Sequence, residues 1–124
     1  MKLVEVSNLQ KTTQNFLQME MPLRLSYKFT KLLSSIETES EFFITKLREI
    51  ISKYGDKDDQ GNFKEENGNI LIQKQFIELA QKEVSALNNI EVTLPDITFT
   101  LDELEILNIK PADLRALLPF IKED

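Results

Sequence analysis

The sequence predicts a single-domain, mostly helical α+β fold, built on a long helix that folds back against a second helix. Three observations support this. Apolar residues recur at helical spacing across residues 22–54, a segment without glycine and with proline only at its first position. A second helical pattern follows an acidic, glycine-containing loop at 55–69. Short segments at 2–6 and 90–99 alternate polar and apolar residues, as half-buried strands do.

The N-terminal region is expected to hold a short strand and then a helix. Residues 2–6 are rich in β-branched and alternating side chains, so they predict a strand. Ser7 or Asn8 is a suitable N-cap for a helix that ends near Met21. Pro22 then suits the first turn of the long helix, because its missing N–H would have been unpaired there.

The long helix carries a coiled-coil-like seam, whose members lie three or four residues apart, or seven where Glu39 interrupts. The seam consists of Leu25, Phe29, Leu32, Ile36, Phe43, Leu47, Ile50 and Tyr54. At ~1.5 Å per residue, a helix from Pro22 to Tyr54 is about 50 Å long. The rest of a 124-residue chain covers such a helix with difficulty, so we expect part of it to contact a partner or a second copy.

Residues 22–88 are predicted to form a helical hairpin. The loop at 55–69 contains all three glycines and is expected to turn at residues 60–62. A second helix is predicted at 71–87, antiparallel to the first. Its apolar face consists of Ile72, Phe76, Leu79, Ala80, Val84 and Leu87. The two helices are expected to pack through a pair of apolar residues from each, namely Phe76 and Leu79 against Leu47 and Ile50.

The C-terminal part is predicted to add one or two edge strands and short helices. Residues 90–99 alternate and contain a proline, and residues 2–6 are the obvious strand to pair with them in a small sheet. Thr100 and Glu103 have the spacing of a capping box, which predicts the start of short helices within 101–121.

Composition argues against catalysis and against several classes of partner. The chain has no His and no Cys, which excludes the usual general base, the thiol nucleophile and the common zinc ligands. Glu37, Glu39 and Glu41 alternate around a helix and cannot form one carboxylate cluster. We therefore expect no enzyme activity and no cofactor. A net charge of −6 argues against nucleic acid and anionic membranes, and no signal peptide or membrane-spanning segment is expected.

The loop after the long helix partly matches a calcium-binding loop. Asp56, Asp58 and Gln60 place oxygen ligands at relative positions 1, 3 and 5, and a glycine follows at position 6. The match fails at the closing position, where Asn67 replaces the bidentate Glu and Gly68 follows instead of a helix. The sequence thus predicts an acidic solvated turn, with these residues as weak metal candidates only.

Partner contact is expected from apolar residues of the long helix. Phe42 and Phe43 are adjacent, so both cannot face one seam. One of them is either packed by another element, which is the favoured interpretation, or left for a partner. Leu25 and Phe29, near the start of the seam, are the other candidates for partner contact.

Several segments resemble, in order, an uncharacterised family of small proteins from tailed bacteriophages and prophages of Gram-positive bacteria. The resemblance is carried by residues 1–6, 15–17, 32–54, 57–62 and 92–94. It implies a gene among late structural genes and a protein in the host cytoplasm or the virion. It also fits an accessory protein that assembles with itself, as a homo-oligomer, or with a virion component such as the tail. A small inhibitor of a host enzyme or defence protein is the alternative. The family has no established active site, so no functional residue is carried over.

Overall fold

The computed structural model describes residues 1–122 and confirms a mostly helical α+β fold with a long helix and short C-terminal helices. The elements, in chain order, are helix α1 (Leu3–Thr13), a 3-10 turn (Gln14–Gln18), α2 (Leu23–Tyr54), strands β1 (Glu65–Glu66) and β2 (Asn69–Ile70), a 3-10 turn (Lys74–Phe76), α3 (Ile77–Asn88), α4 (Leu101–Glu105), α5 (Pro111–Leu117) and a last 3-10 turn (Leu118–Phe120). Within the described residues, no helix is long and apolar enough to span a membrane.

Helix α2 has the ends that the sequence predicts. It begins directly after Pro22 and ends at Tyr54, and the N–H of the C-cap residue Gly55 donates to the Ile51 carbonyl at 2.7 Å. Gly55 has an ordinary φ of −62°, so it is not needed for a left-handed turn. It is needed for space instead, because a Cβ there would lie 2.6 Å from Cε1 of the Phe63 ring.

The predicted strand at 2–6 is wrong, since these residues begin α1. Leu3 and Val6 are fully buried while Glu5 is exposed, which is the i, i+3 pattern of a helix face. The predicted pairing with 90–99 is reduced to one antiparallel bridge, between Lys2 and Glu91. Two backbone hydrogen bonds of 2.8 Å flank it: Leu3 N–H donates to the Ile90 carbonyl, and Val92 N–H donates to the Met1 carbonyl.

The small sheet lies in the loop after α2. Strands β1 and β2 pair antiparallel around Asn67 and Gly68, both with positive φ, at 54° and 81°. An Asn-Gly pair with this backbone geometry is the common two-residue hairpin turn. The turn predicted at 60–62 is also present, because Asp58 N–H donates to the Asn62 carbonyl and Gly61 N–H donates to the Asp58 carbonyl.

Helix α3 returns antiparallel to α2, as predicted, but starts at Ile77 rather than 71. Residues 71–73 instead pair with the end of α2 and the residues just after it, with Gln73 N–H donating to the Tyr54 carbonyl at 3.0 Å. The Phe76 ring packs on Tyr54, with centroids 5.3 Å apart. Leu79 was expected to pack on α2 but is 50% exposed, because the buried face of α3 runs through Ala80 and Leu87.

The core surrounds the N-terminal half of α2. Phe29 stacks between Phe16 and Phe99, with ring centroids 4.9 and 4.5 Å apart. The predicted capping box is present, since the Thr100 hydroxyl accepts from Glu103 N–H and the Glu103 carboxylate accepts from Thr100 N–H. Lys28 donates to both carboxylate oxygens of Glu103, at 3.0 and 2.9 Å, which joins the C-terminal helices to α2.

Candidate interaction surface

The apolar seam of α2 is covered to different extents in its two halves. Its N-terminal members Leu25, Phe29, Leu32 and Ile36 are buried within the chain. The structure therefore corrects the expectation that Leu25 and Phe29 contact a partner: they are only 4% and 2% exposed, because the other helices enclose them. The members in the C-terminal half, residues 43–50, are only half-buried. The part of the seam that the rest of the chain does not fully bury thus lies in that half.

An open apolar groove runs between α2 and α3 on one side of the hairpin, with a volume of about 640 Å³. It is lined by Leu47, Ile50, Ile51, Ile70, Leu71, Ile72, Ile77, Ala80, Gln81, Val84, Ser85 and Asn88. Leu71 and Ile77 remain 37% and 41% exposed. We call this surface the α2–α3 groove. Burying such side chains is favourable at roughly 25 cal/mol per Å² of apolar area, so the groove is a candidate site for a partner.

The α2–α3 groove differs from the rest of the chain in charge. None of its twelve lining residues is ionisable, and nine are apolar. Charged residues make up 29% of the chain, so about three would be expected among twelve. The polar residues of the lining, Gln81, Ser85 and Asn88, are uncharged. A depletion of charge at the centre of a surface is typical of protein interfaces.

The other side of the hairpin carries a second crevice of about 490 Å³, whose lining includes the charged residues Lys46, Glu49, Lys53 and Glu83. Phe42 lines it and is 45% exposed, with the Lys46 ammonium 5.8 Å from its ring centroid. Phe43, by contrast, is half-buried. The two side chains therefore differ in exposure, as expected for adjacent residues of a helix. Of the four candidates for partner contact, Phe42 is the most accessible.

Ion pairs border this crevice and perturb two ionisable groups. Lys53 donates to Glu83 Oε1 at 3.4 Å, while Glu83 Oε2 is buried without a hydrogen-bond partner. The nearby Tyr54 hydroxyl, followed by Lys53, lowers the pKa of Glu83. Tyr54 and then Glu83 raise the pKa of Lys53. Both shifts favour the charged forms, so this crevice, unlike the α2–α3 groove, has charged groups in its lining.

The acidic loop uses its own carboxylates. Asp58 Oδ1 accepts from the backbone N–H groups of Gln60 and Asn62, at 2.9 and 3.0 Å. Asp56 pairs with Lys64 at 3.5 Å. Among residues 1–122, no three His, Cys, Asp or Glu side chains are grouped so that they could hold a metal ion. The loop thus uses two of its three weak metal candidates, Asp56 and Asp58, to hold its own turn.

Sequence reasoning found part of the α2–α3 groove. The apolar patterns of the two helices included five of its nine apolar lining residues, namely Leu47, Ile50, Ile72, Ala80 and Val84. They did not include Ile51, Ile77 or the pair 70–71. The sequence did contain a signal for the remaining residues, namely consecutive apolar positions. Ile50 and Ile51 are adjacent, and three apolar residues follow one another at 70–72. Such runs exceed what one helix face can bury, and they indicate apolar surface on a second side.

Comparison of the chain with protein-family models, with curated proteins and with solved structures found no match. The geometry of the hairpin and the composition of its two sides are therefore the observations on which a functional proposal rests.

Proposed function

We propose that this chain is a non-enzymatic phage or prophage accessory protein that acts by protein–protein contact, through self-assembly or association with a virion component such as the tail. The observation that carries the proposal is the α2–α3 groove, an exposed apolar surface without charge on an otherwise highly charged chain. Surfaces of this kind mark protein contact sites in soluble proteins.

Two further features support a binding role. The chain has neither His nor Cys, and two of its loop carboxylates are engaged, Asp58 in hydrogen bonds within the turn and Asp56 in an ion pair. The hairpin that bears the groove is also pre-formed, so binding there needs little ordering of the chain. The phage or prophage origin rests on the resemblance of the segments quoted above, to which the comparisons add nothing.

Capture from cells tests the proposal. The chain, tagged after residue 124 because the Met1 amine bonds Glu91 and Val92, is used as bait in lysate from phage-infected or prophage-induced cells. Stoichiometric recovery of a virion protein, or an assembly of the chain itself in light scattering, supports the proposal. A chain that is monomeric and recovers no stoichiometric partner contradicts it. Turnover of a substrate that is lost on changing Asp58 also contradicts it.

A second candidate function is inhibition of a host enzyme or defence protein. It is favoured by the acidic C-terminal part, where residues 91–124 carry eight acidic and three basic side chains. An acidic surface of this kind can occlude a basic site on another protein. Recovery of a host nuclease or defence protein in the same capture, with affinity that falls steeply as salt is raised, would favour this function over assembly.

A further inference from the structure

We infer that the α2–α3 groove is occupied by the α2–α3 groove of a second copy, so that two helical hairpins pack face to face as a two-fold four-helix bundle. The inference rests on the proposed function and names its surface and its partner. It follows from three features of the hairpin: incomplete cover, absence of charge and size.

The incomplete cover begins beyond the first turn of α1. Helix α1 runs antiparallel to α2, because its last residue, Thr13, shares a crevice with Thr30 and Leu33, whereas the hydroxyl of Ser7, near its start, lies 3.4 Å from that of Ser40. Ile44, Leu47 and Ile51 continue the same side of α2 at helical spacing, and Ile44 is 39% exposed. Beyond α1, the hairpin is therefore a two-helix layer with one face uncovered. Helical layers normally bury such a face against another layer, and a second hairpin supplies one.

The charge of the chain makes the groove the most favourable place for a second copy to bind. Each copy carries a net charge of −6, so contact through most of its surface brings like charges together. The groove has no ionisable lining residue and is free of this repulsion. A strongly charged partner would find no counter-charge within the groove. A small apolar ligand would be poorly enclosed, because such ligands need about 70–90% of their surface buried and the groove is open along its length.

The size of the groove sets the strength of the contact. Helix α3, which forms one wall, has 12 residues and is about 18 Å long. Twelve lining residues per copy are fewer than the roughly 20–30 per side of a standard interface. We therefore expect a reversible dimer with a dissociation constant in the micromolar range, rather than an obligate one.

A matched pair of variants on α3 tests the surface. Ile77 lines the groove and is 41% exposed, whereas Leu79 points away from it and is 50% exposed. Sedimentation velocity from about 1 to 300 μM should show a monomer–dimer equilibrium for the wild type and for Leu79→Glu. Ile77→Glu places a carboxylate in the contact and should weaken dimerisation roughly tenfold or more. Circular dichroism should show that both variants keep the wild-type helix content, because both positions are exposed.

Cross-linking locates the contact without disturbing it. The chain has no Cys, so a single introduced Cys is the only thiol. Ser85→Cys, on the lining of the groove, should give a covalent dimer with a short bis-maleimide reagent. Thr45→Cys, which is exposed on α2 outside the groove, should not.

The outcomes separate this inference from the proposed function. If Ile77→Glu and Leu79→Glu weaken dimerisation equally, or if only Thr45→Cys cross-links, the contact is not through the groove. Self-assembly as a function would still be supported. A wild type that stays monomeric over the whole range overturns the second copy as occupant. Capture of a virion protein by that monomer would still support the proposed function. If the chain neither self-associates nor captures a partner, both the inference and the proposed function are contradicted.

Discussion

Truncating the same residue type in the two halves of α2 should cost different amounts of stability. Leu32 and Leu47 both lie on the apolar seam, but Leu32 is fully buried and Leu47 is half-buried at the edge of the α2–α3 groove. Leu32→Ala should lower the free energy of unfolding by about 2–5 kcal/mol, because the substitution removes buried carbons and leaves an enclosed cavity.

Leu47→Ala should cost less in the monomer, about 1–2 kcal/mol. Its side chain keeps part of its contact with water, so less transfer free energy is lost. The open groove also prevents formation of an enclosed cavity, which removes the second contribution to the cost of a large-to-small substitution. The sequence alone predicts about 2–5 kcal/mol at this position on the assumption that α3 buries Leu47 completely.

The assay is urea unfolding followed by circular dichroism at about 5 μM and again at about 300 μM, concentrations on either side of a micromolar dissociation constant. At the lower concentration Leu47→Ala should be clearly milder than Leu32→Ala. At the higher concentration its cost should rise, because a second copy then buries Leu47, while the cost of Leu32→Ala should change little. Equal costs at the lower concentration would refute the uncovered groove, since they would mean that Leu47 is enclosed within one chain.

Three other outcomes follow from particular contacts. Phe42→Ala should change the free energy of unfolding by less than about 1 kcal/mol in thermal unfolding, because the ring is 45% exposed; a larger loss would place Phe42 in the core. Titration calorimetry of the loop at 56–67 should show calcium binding no tighter than millimolar, because Asp58 is engaged in the turn; micromolar binding abolished by Asp58→Ala would contradict this. Hydrogen bonding from Lys28 lowers the pKa of Glu103 from its ordinary value of 4.5, so the ionised carboxylate stabilises the fold above that pH. This stabilisation should be lost as the pH falls through the lowered pKa. In acid unfolding, the free energy of unfolding of Glu103→Gln should not show this loss. The same dependence on pH in the variant and the wild type would contradict a stabilising role for the Lys28–Glu103 pair.

Local signals in the sequence were sufficient for the long helix. Pro22 and Gly55 mark its ends, and the absence of glycine and proline between them leaves no place for a break. The capping box at Thr100 and Glu103 was found for the same reason, since its two hydrogen bonds depend on residues three positions apart. Both predictions depend on neighbouring residues alone.

Predictions that depended on distant contacts were less successful. Five residues at 2–6 are too few to distinguish a strand, in which Leu3 and Glu5 share a face, from a helix, in which Leu3 and Val6 do. Packing decided in favour of the helix by burying Leu3 and Val6. The apolar pattern placed Leu79 on the face toward α2 together with Ala80 and Leu87, but only the last two are buried. The start of α3 was outside the reach of its own sequence, because residues 71–73 bond to the end of α2 instead of continuing the helix.

Stability and the proposed association are assigned to different halves of one helix. The aromatic stack around Phe29 and the Lys28–Glu103 pair hold the N-terminal half of α2 in the core. An isolated pair of helices as short as α3 is marginal in water, so the exposed hairpin depends on the continuous α2 for its rigidity. That continuity presents the α2–α3 groove in a fixed conformation, which reduces the ordering cost of binding. Substitutions around Phe29 should therefore weaken folding and association together, whereas substitutions at Ile77 should weaken association alone.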